Sequence, residues 1–241
     1  MADQRGRVTV EPRGPVGLVT LRRSAKRNAL SMHLETELAA ALASREAEDA
    51  RVLVITGEEG CFSAGADLGE LASMTPEAIA RYYRTSGGVY ERVASLSVPV
   101  IAAIEGYCVG GGLELALACD LRVAGRDALF ALPEIGLGIL PSSGGVTRLL
   151  RVVGEGRARE LILTGRRFGV DEASAWGIVN QLTDTGAAVA RALAWAEDLA
   201  QADRLALDVT KQVIAASADG STAASLTLER LAYALLKGGT R

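Results

Sequence analysis

Two short apolar runs constrain this chain's fold more than any other feature. Val52-Leu53-Val54-Ile55-Thr56 and Pro99-Val100-Ile101-Ala102-Ala103-Ile104 show no polar alternation, and each is followed closely by glycine. A strand with one wet face alternates; an unbroken run predicts a strand covered on both faces, as in parallel sheets. Helical patterns flank them. Ser31 is placed to cap a helix with the stripe Leu34, Leu38, Ala41 and Leu42. Thr75 and Pro76 open another as cap and first-turn proline, with Ile79, Tyr82, Tyr83, Val89, Val93 and Leu96 at helical spacing along it. Residues 110–118 form a third helix and residues 120–124 a further strand. This alternation predicts an α/β protein with parallel strands and right-handed crossovers. Ahead of it, residues 8–10 and 16–21 read as strands joined at Pro12-Arg13-Gly14-Pro15. Beyond Thr185 the chain turns Ala- and Leu-rich with helical periodicity. The expected organisation is a core over residues 1–184 and a helical region over 185–241.

Several classes drop out on composition. A net charge of −3 and pI near 5.4 give no basic stripe for nucleic acid. No run reaches the roughly 20 apolar residues of a membrane helix, and Glu105 interrupts the best candidate. The first seven residues lack a hydrophobic segment behind them, so no secretory signal is expected. Cys61, Cys108 and Cys119 read as free thiols of a reducing, cytoplasmic setting. His33 is the single histidine, which excludes a His-rich metal site, and it borders an apolar stripe rather than a motif.

In such sheets ligands bind in loops beyond the C-terminal strand ends. Two of these loops are rich in small residues: Cys61-Phe62-Ser63-Ala64-Gly65-Ala66-Asp67-Leu68 and Gly106-Tyr107-Cys108-Val109-Gly110-Gly111-Gly112-Leu113-Glu114. They could offer two convergent N–H donors, or merely permit tight packing. A dinucleotide fingerprint fails because Leu115 occupies its last glycine position, and no phosphate-loop motif is present. Glu114 lies in an otherwise apolar helix, where a buried carboxylate should have a raised pKa. A structural ion pair with Arg122 or Arg148 is the competing explanation. Glu134, after Pro133, is a second isolated acid, either reactive or simply a first-turn acid favoured by the helix dipole with Pro133 at the first position.

Six segments in order resemble the crotonase (enoyl-CoA hydratase/isomerase) superfamily. They are Lys26-Arg27-Asn28-Ala29-Leu30, Phe62-Ser63-Ala64-Gly65-Ala66-Asp67-Leu68, Gly110-Gly111-Gly112-Leu113-Glu114, Pro133-Glu134-Ile135-Gly136-Leu137-Gly138, Gly144-Gly145-Val146-Thr147-Arg148-Leu149 and Ala173-Ser174-Ala175-Trp176-Gly177-Ile178-Val179-Asn180. The resemblance implies an α/β fold: a crotonase-like spiral of ββα repeats with a helical C-terminal region used in assembly as a homotrimer or dimer of trimers. It implies hydration of a 2-enoyl-CoA thioester, with CoA as part of the substrate and no further cofactor or metal. Glu114 and Glu134 would be catalytic, the amides of Ala66 and Gly111 an oxyanion hole, and Lys26, Arg27, Ala29, Ala64, Leu68 and Ser142 substrate-binding. Double-bond isomerisation, or acyl-CoA binding without catalysis, are the alternative activities. Ser142 departs from the glycine common in hydratases. The chain also ends at Arg241, where the family usually continues into a tail, so a shortened assembly region is expected.

Overall fold

The computed structural model describes residues 5–238. The chain begins with β1 (Arg7–Arg13) and β2 (Val16–Arg22), an antiparallel pair, then α1 (Met32–Ala41), α2 (Arg45–Glu48) and β3 (Val52–Gly57). It continues through α3 (Leu68–Ser73), α4 (Pro76–Arg84), α5 (Val89–Ser95), β4 (Val100–Ile104), β5 (Tyr107–Val109), α6 (Gly111–Ala118), β6 (Leu121–Gly125) and β7 (Leu129–Ala131). A 3-10 turn (Glu134–Leu137) leads to α7 (Gly145–Thr164), β8 (Phe168–Gly169), α8 (Val170–Ala175) and β9 (Gln181–Thr183). Three helices close the chain: α9 (Ala188–Leu199), α10 (Arg204–Asp219) and α11 (Thr222–Gly238).

The main sheet has the order β1-β2-β3-β4-β6-β9 and is parallel from β2 onward, as the apolar runs require. Val52 to Ile55 and Val100 to Ile104 are covered on both faces. On one side lies the large core, including Leu34 and Leu38 of α1 and Val89 and Val93 of α5. On the other, Ala188, Ala192, Ala196 and Ala200 pack α9 against Val52, Val54, Ile101 and Val123. Their four-residue spacing makes a stripe of small side chains, which lets helix and sheet approach closely. Thus α9 sits on the sheet, while α10 and α11 pack on each other and bury no residue. A smaller sheet, β5-β7-β8, lies beside the main one and carries the second glycine-rich loop.

The expected N-caps are present. The Ser31 hydroxyl accepts from the Leu34 amide and Thr75 from Ala78. One helix differs from expectation. Residues 76–96 are not continuous but break between α4 and α5 at a 3-10 turn over Ser86–Gly88. Gly87-Gly88 supplies the physical reason, since paired glycines weaken a helix interior by roughly 1 kcal/mol each. Among the described residues no helix is long and apolar enough to cross a membrane.

Candidate active site

A cavity of about 830 Å³ opens where β3 and β4 feed their loops into helices. Both small-residue loops line it through Ala64, Gly65, Ala66, Gly110 and Gly111, and both isolated acids, Glu114 and Glu134, face it.

The two loops are locked together. The Ser63 amide donates to Tyr107 O and the Val109 amide to Ser63 O. Gly65 has φ +96°, and a Cβ there would stand 2.7 Å from Val109 O; one on Gly112 would stand 2.7 Å from Ser63 O. Tight packing and exposed amides are therefore not alternatives here, because the packing brings the amides together. An ideal Cβ on Gly111 would lie 3.6 Å from the Ala66 nitrogen. Among the described residues neither the Ala66 nor the Gly111 amide has a protein acceptor. Two N–H groups thus stand side by side at the cavity wall, one at the start of α6, where unsatisfied donors and the helix dipole favour negative charge.

Glu114 is 4% exposed on α6. Among the described residues no arginine forms an ion pair with it, although the Arg148 charge acts on it from a distance. Its Oε1 accepts from the Ser143 amide at 2.7 Å and the Gly145 amide at 2.9 Å. Arg122 is spent on the carbonyls of Ile178, Ala116 and Cys119, and Arg148 donates to Ser143 O. Burial raises the Glu114 pKa above the usual carboxylate range, opposed by the two amides. Glu134 is 9% exposed and begins the 3-10 turn. Pro133 is the cap of that turn and not its first residue. Burial pushes Glu134 to about 7, its own amide opposes this, and the Glu114 charge adds to the rise. Its Oε2 is buried without a hydrogen-bond partner among the described residues. An acid whose neutral form is favoured, beside one held in place by two amides, is an asymmetric proton-handling pair.

The other expected residues divide. Ala64, Leu68 and Ser142 line the cavity, Leu68 being 59% exposed. Lys26, Arg27 and Ala29 do not. Lys26 and Arg27 are exposed on the turn before α1, and Arg27 lines a neighbouring cleft of about 620 Å³, its guanidinium 5.0 Å from the Tyr107 ring centre. His33 lies near Gly6 O, away from the cavity.

Some participants were not evident beforehand. The Ser143 and Gly145 amides hold Glu114, although only backbone geometry reveals it. Tyr83 on α4 donates to the Ser142 hydroxyl, bridging the cavity mouth. Tyr82 and Tyr90 both donate at 2.8 Å to Oε1 of Glu35, a residue 2% exposed on α1. Three of the five tyrosines falling within residues 82–90 is the available signal for that wall.

The enoyl-CoA hydratase/isomerase family model matches residues 11–235, and the chain belongs to this family. It is 39% identical to the 2,3-dehydroadipyl-CoA hydratase of Escherichia coli over 91% of this chain and 86% of that one. It is 38% identical to the bovine enoyl-CoA hydratase domain-containing protein 2, mitochondrial, over 92% and 77%. Among solved structures, the enoyl-CoA hydratase of Bacillus anthracis superposes with a TM-score of 0.91 at 34% identity, covering 97% of this chain and 92% of that one. A Thermobifida fusca protein solved in complex with CoA superposes with a TM-score of 0.89 at 26% identity, covering 97% and 94%. The fold is therefore the crotonase fold expected from the six segments.

Proposed function

We propose that this chain is an enoyl-CoA hydratase, adding water across the double bond of a 2-enoyl-CoA thioester. The observation that carries this reading is the cavity itself: two buried acids, unlike in their surroundings, face the same space as two unpaired amides. The family and the hydratases among its relatives support it.

The thioester oxygen is taken by the Ala66 and Gly111 amides. As water attacks Cβ, electron density moves from the double bond onto that oxygen, and the amides stabilise the enolate. One such donor is worth about 2.7–4 kcal/mol in the transition state. Glu114, ionised and held by Ser143 and Gly145, orients the water and takes its proton. Glu134 gives its proton to Cα. Proton exchange from Glu114 to Glu134 then restores the pair, which shares the water and titrates as a unit. Ala64, Leu68 and Ser142 flank the thioester, and Ala29 backs the turn that carries Lys26 and Arg27. Those two cations meet the CoA phosphates. The reaction so written requires no metal and no redox cofactor.

The test is loss of the conjugated thioester absorbance of crotonyl-CoA. Turnover by the native chain, lowered by about 10²–10⁴ in Glu134→Gln and Glu114→Gln with CoA binding kept, supports the reading. A folded, CoA-binding chain without turnover overturns it. If Glu114→Gln alone leaves hydration untouched, the two-acid scheme fails and one-acid isomerisation gains. The three free cysteines suit the cytoplasm. Exposed Leu205, Ile214, Leu226, Leu231, Tyr233 and Leu235 on α10 and α11 suit assembly into a homotrimer or a dimer of trimers, which light scattering would measure.

A further inference from the structure

Of the buried acids that play no part in the proposed reaction, Glu105 holds the Ala188 amide, away from the cavity, and Glu35 stands beside the cavity. Glu35 sits on α1 behind the cavity, beneath Tyr82 of α4 and Tyr90 of α5. The phenol protons of both tyrosines are directed to its Oε1, and its Oε2 is buried without a partner among the described residues. Both phenol rings line the cavity, so they can meet a ligand there only as acceptors, each having one proton already committed. The third tyrosine of the wall, Tyr83, has its proton on Ser142.

The charges of the cavity point the same way. Its ionisable carboxyls are Asp67, Glu70, Glu114 and Glu134, and among the described residues no Lys, Arg or His lines it. Asp67 is neutralised from outside by Arg23 at 2.8 Å. Glu70 instead accepts from the Met32 amide, and Glu114 and Glu134 have the surroundings given above. Apart from the hydroxyls of Ser142 and Ser143 and the two loop amides that take the thioester oxygen, the wall is largely apolar, with Leu71, Met74, Ile79, Leu137, Ile139 and Leu140. A carboxylate entering this space would shed water, find phenol oxygens whose protons face away, and lie near like charges. Burying a charge without a partner is costly, and rejection of a mismatched group is where pockets discriminate most strongly.

We propose that this cavity selects 2-enoyl groups with neutral tails over those ending in a carboxylate, and that Glu35 is a specificity-determining residue because it holds the Tyr82 and Tyr90 protons away from the ligand. This deepens the acyl-CoA reading above and rests on it. It also separates this chain from its 39% identical relative, whose named substrate is 2,3-dehydroadipyl-CoA. Burial holds Glu35 near a pKa of about 7, with Glu114 and Glu70 adding to the rise, so part of its charge remains at neutral pH.

The experiment compares hex-2-enoyl-CoA with 2,3-dehydroadipyl-CoA, equal in length and different only in methyl against carboxylate at C6. Equilibrium binding and hydration are both measured on the full chain. The expected result is binding and kcat/KM about tenfold or more in favour of the neutral thioester, where each factor of ten corresponds to about 1.4 kcal/mol. In Glu35→Gln the ratio should shrink to about threefold or less, as the charge behind the phenols is removed. Equal binding and turnover by the native chain overturns the selection while leaving hydration standing, and this comparison needs no variant. Unequal binding with no hydration of either thioester keeps the selection and sinks the hydratase reading. Binding of neither overturns both. A folded Glu35→Gln that keeps the native ratio overturns the role given to Glu35.

Discussion

On one side of the cavity, Glu114 and the amides of Ala66 and Gly111 rise from loops and a helix embedded in the core. On the other, Tyr82 and Tyr83 stand on α4, which buries no residue. Every residue of α6 is buried, and its far end is closed by Arg122, which donates to the carbonyls of Ala116 and Cys119. The first wall is held by packing that admits little displacement; the second is held by caps and a few long-range hydrogen bonds from tyrosines. Chemistry that needs its groups within a fraction of an ångström belongs on the first wall. Fitting of the acyl group belongs on the second.

Changes to the first wall should therefore cost rate, and changes to the second should cost affinity or selectivity. Glu134 counts with the first wall because its Oε1 lies against Gly110, 2.9 Å from where a Cβ would stand, and loss of its proton in Glu134→Gln should lower kcat by about 10²–10⁴, with KM little changed. An equal fall in affinity for CoA would break the distinction. The pH profile sharpens it. Because Glu134 must be protonated to donate and titrates near 7, kcat should decline as pH rises through that value. A rate still climbing at pH 9 would remove Glu134 from that role.

Stability should follow pH with the same sign. Glu35 is raised from 4.5 to about 7 in the folded chain, so between these values the native state holds a proton that the unfolded chain releases. Stability then falls as pH rises through this window, by on the order of 3 kcal/mol once pH exceeds 7. Glu134 acts in the same direction. Thermal unfolding at pH 5.5 and 7.5 would show a higher Tm at the lower pH, with a flatter dependence in Glu35→Gln. In the first wall, Gly112→Ala places a methyl 2.7 Å from Ser63 O and should destabilise by about 1–3 kcal/mol, read from denaturant unfolding. The smallest effect is expected on α4. Thr75→Ala removes its cap and costs about 1 kcal/mol, seen as faster amide exchange at residues 76–84 and a raised KM with kcat kept.

Five strands of the main sheet, the caps at Ser31 and Thr75, and the two amide-bearing loops are legible in the sequence because each depends on local chemistry: apolar runs, hydroxyls before helices, clustered glycines. The two- and three-residue strands β5, β7, β8 and β9 are too short to leave such a pattern. Glu114 and Glu134 stand out as charges in apolar surroundings. Their surroundings do not. Arg122 and Arg148 look like partners by charge, yet Glu114 takes backbone amides 29 and 31 residues away, an outcome set by the loop before α7. Glu35 escapes for a related reason. It adjoins Leu34 on α1, and only the packing of α5 over that helix turns the position inward. The break between α4 and α5 was signalled by Gly87-Gly88, but the apolar spacing on either side masks it.

The interlock of Gly65 against Val109 and Gly112 against Ser63 also bears on how such a chain can diverge. Neither loop accepts a methyl group unless the other retreats, so single substitutions at these points meet a steep loss and only paired ones escape it. Residues 68–84 carry no such reciprocal lock. Variation that redirects the protein toward new thioesters has its open path along those two helices, with the acid–amide centre inherited whole.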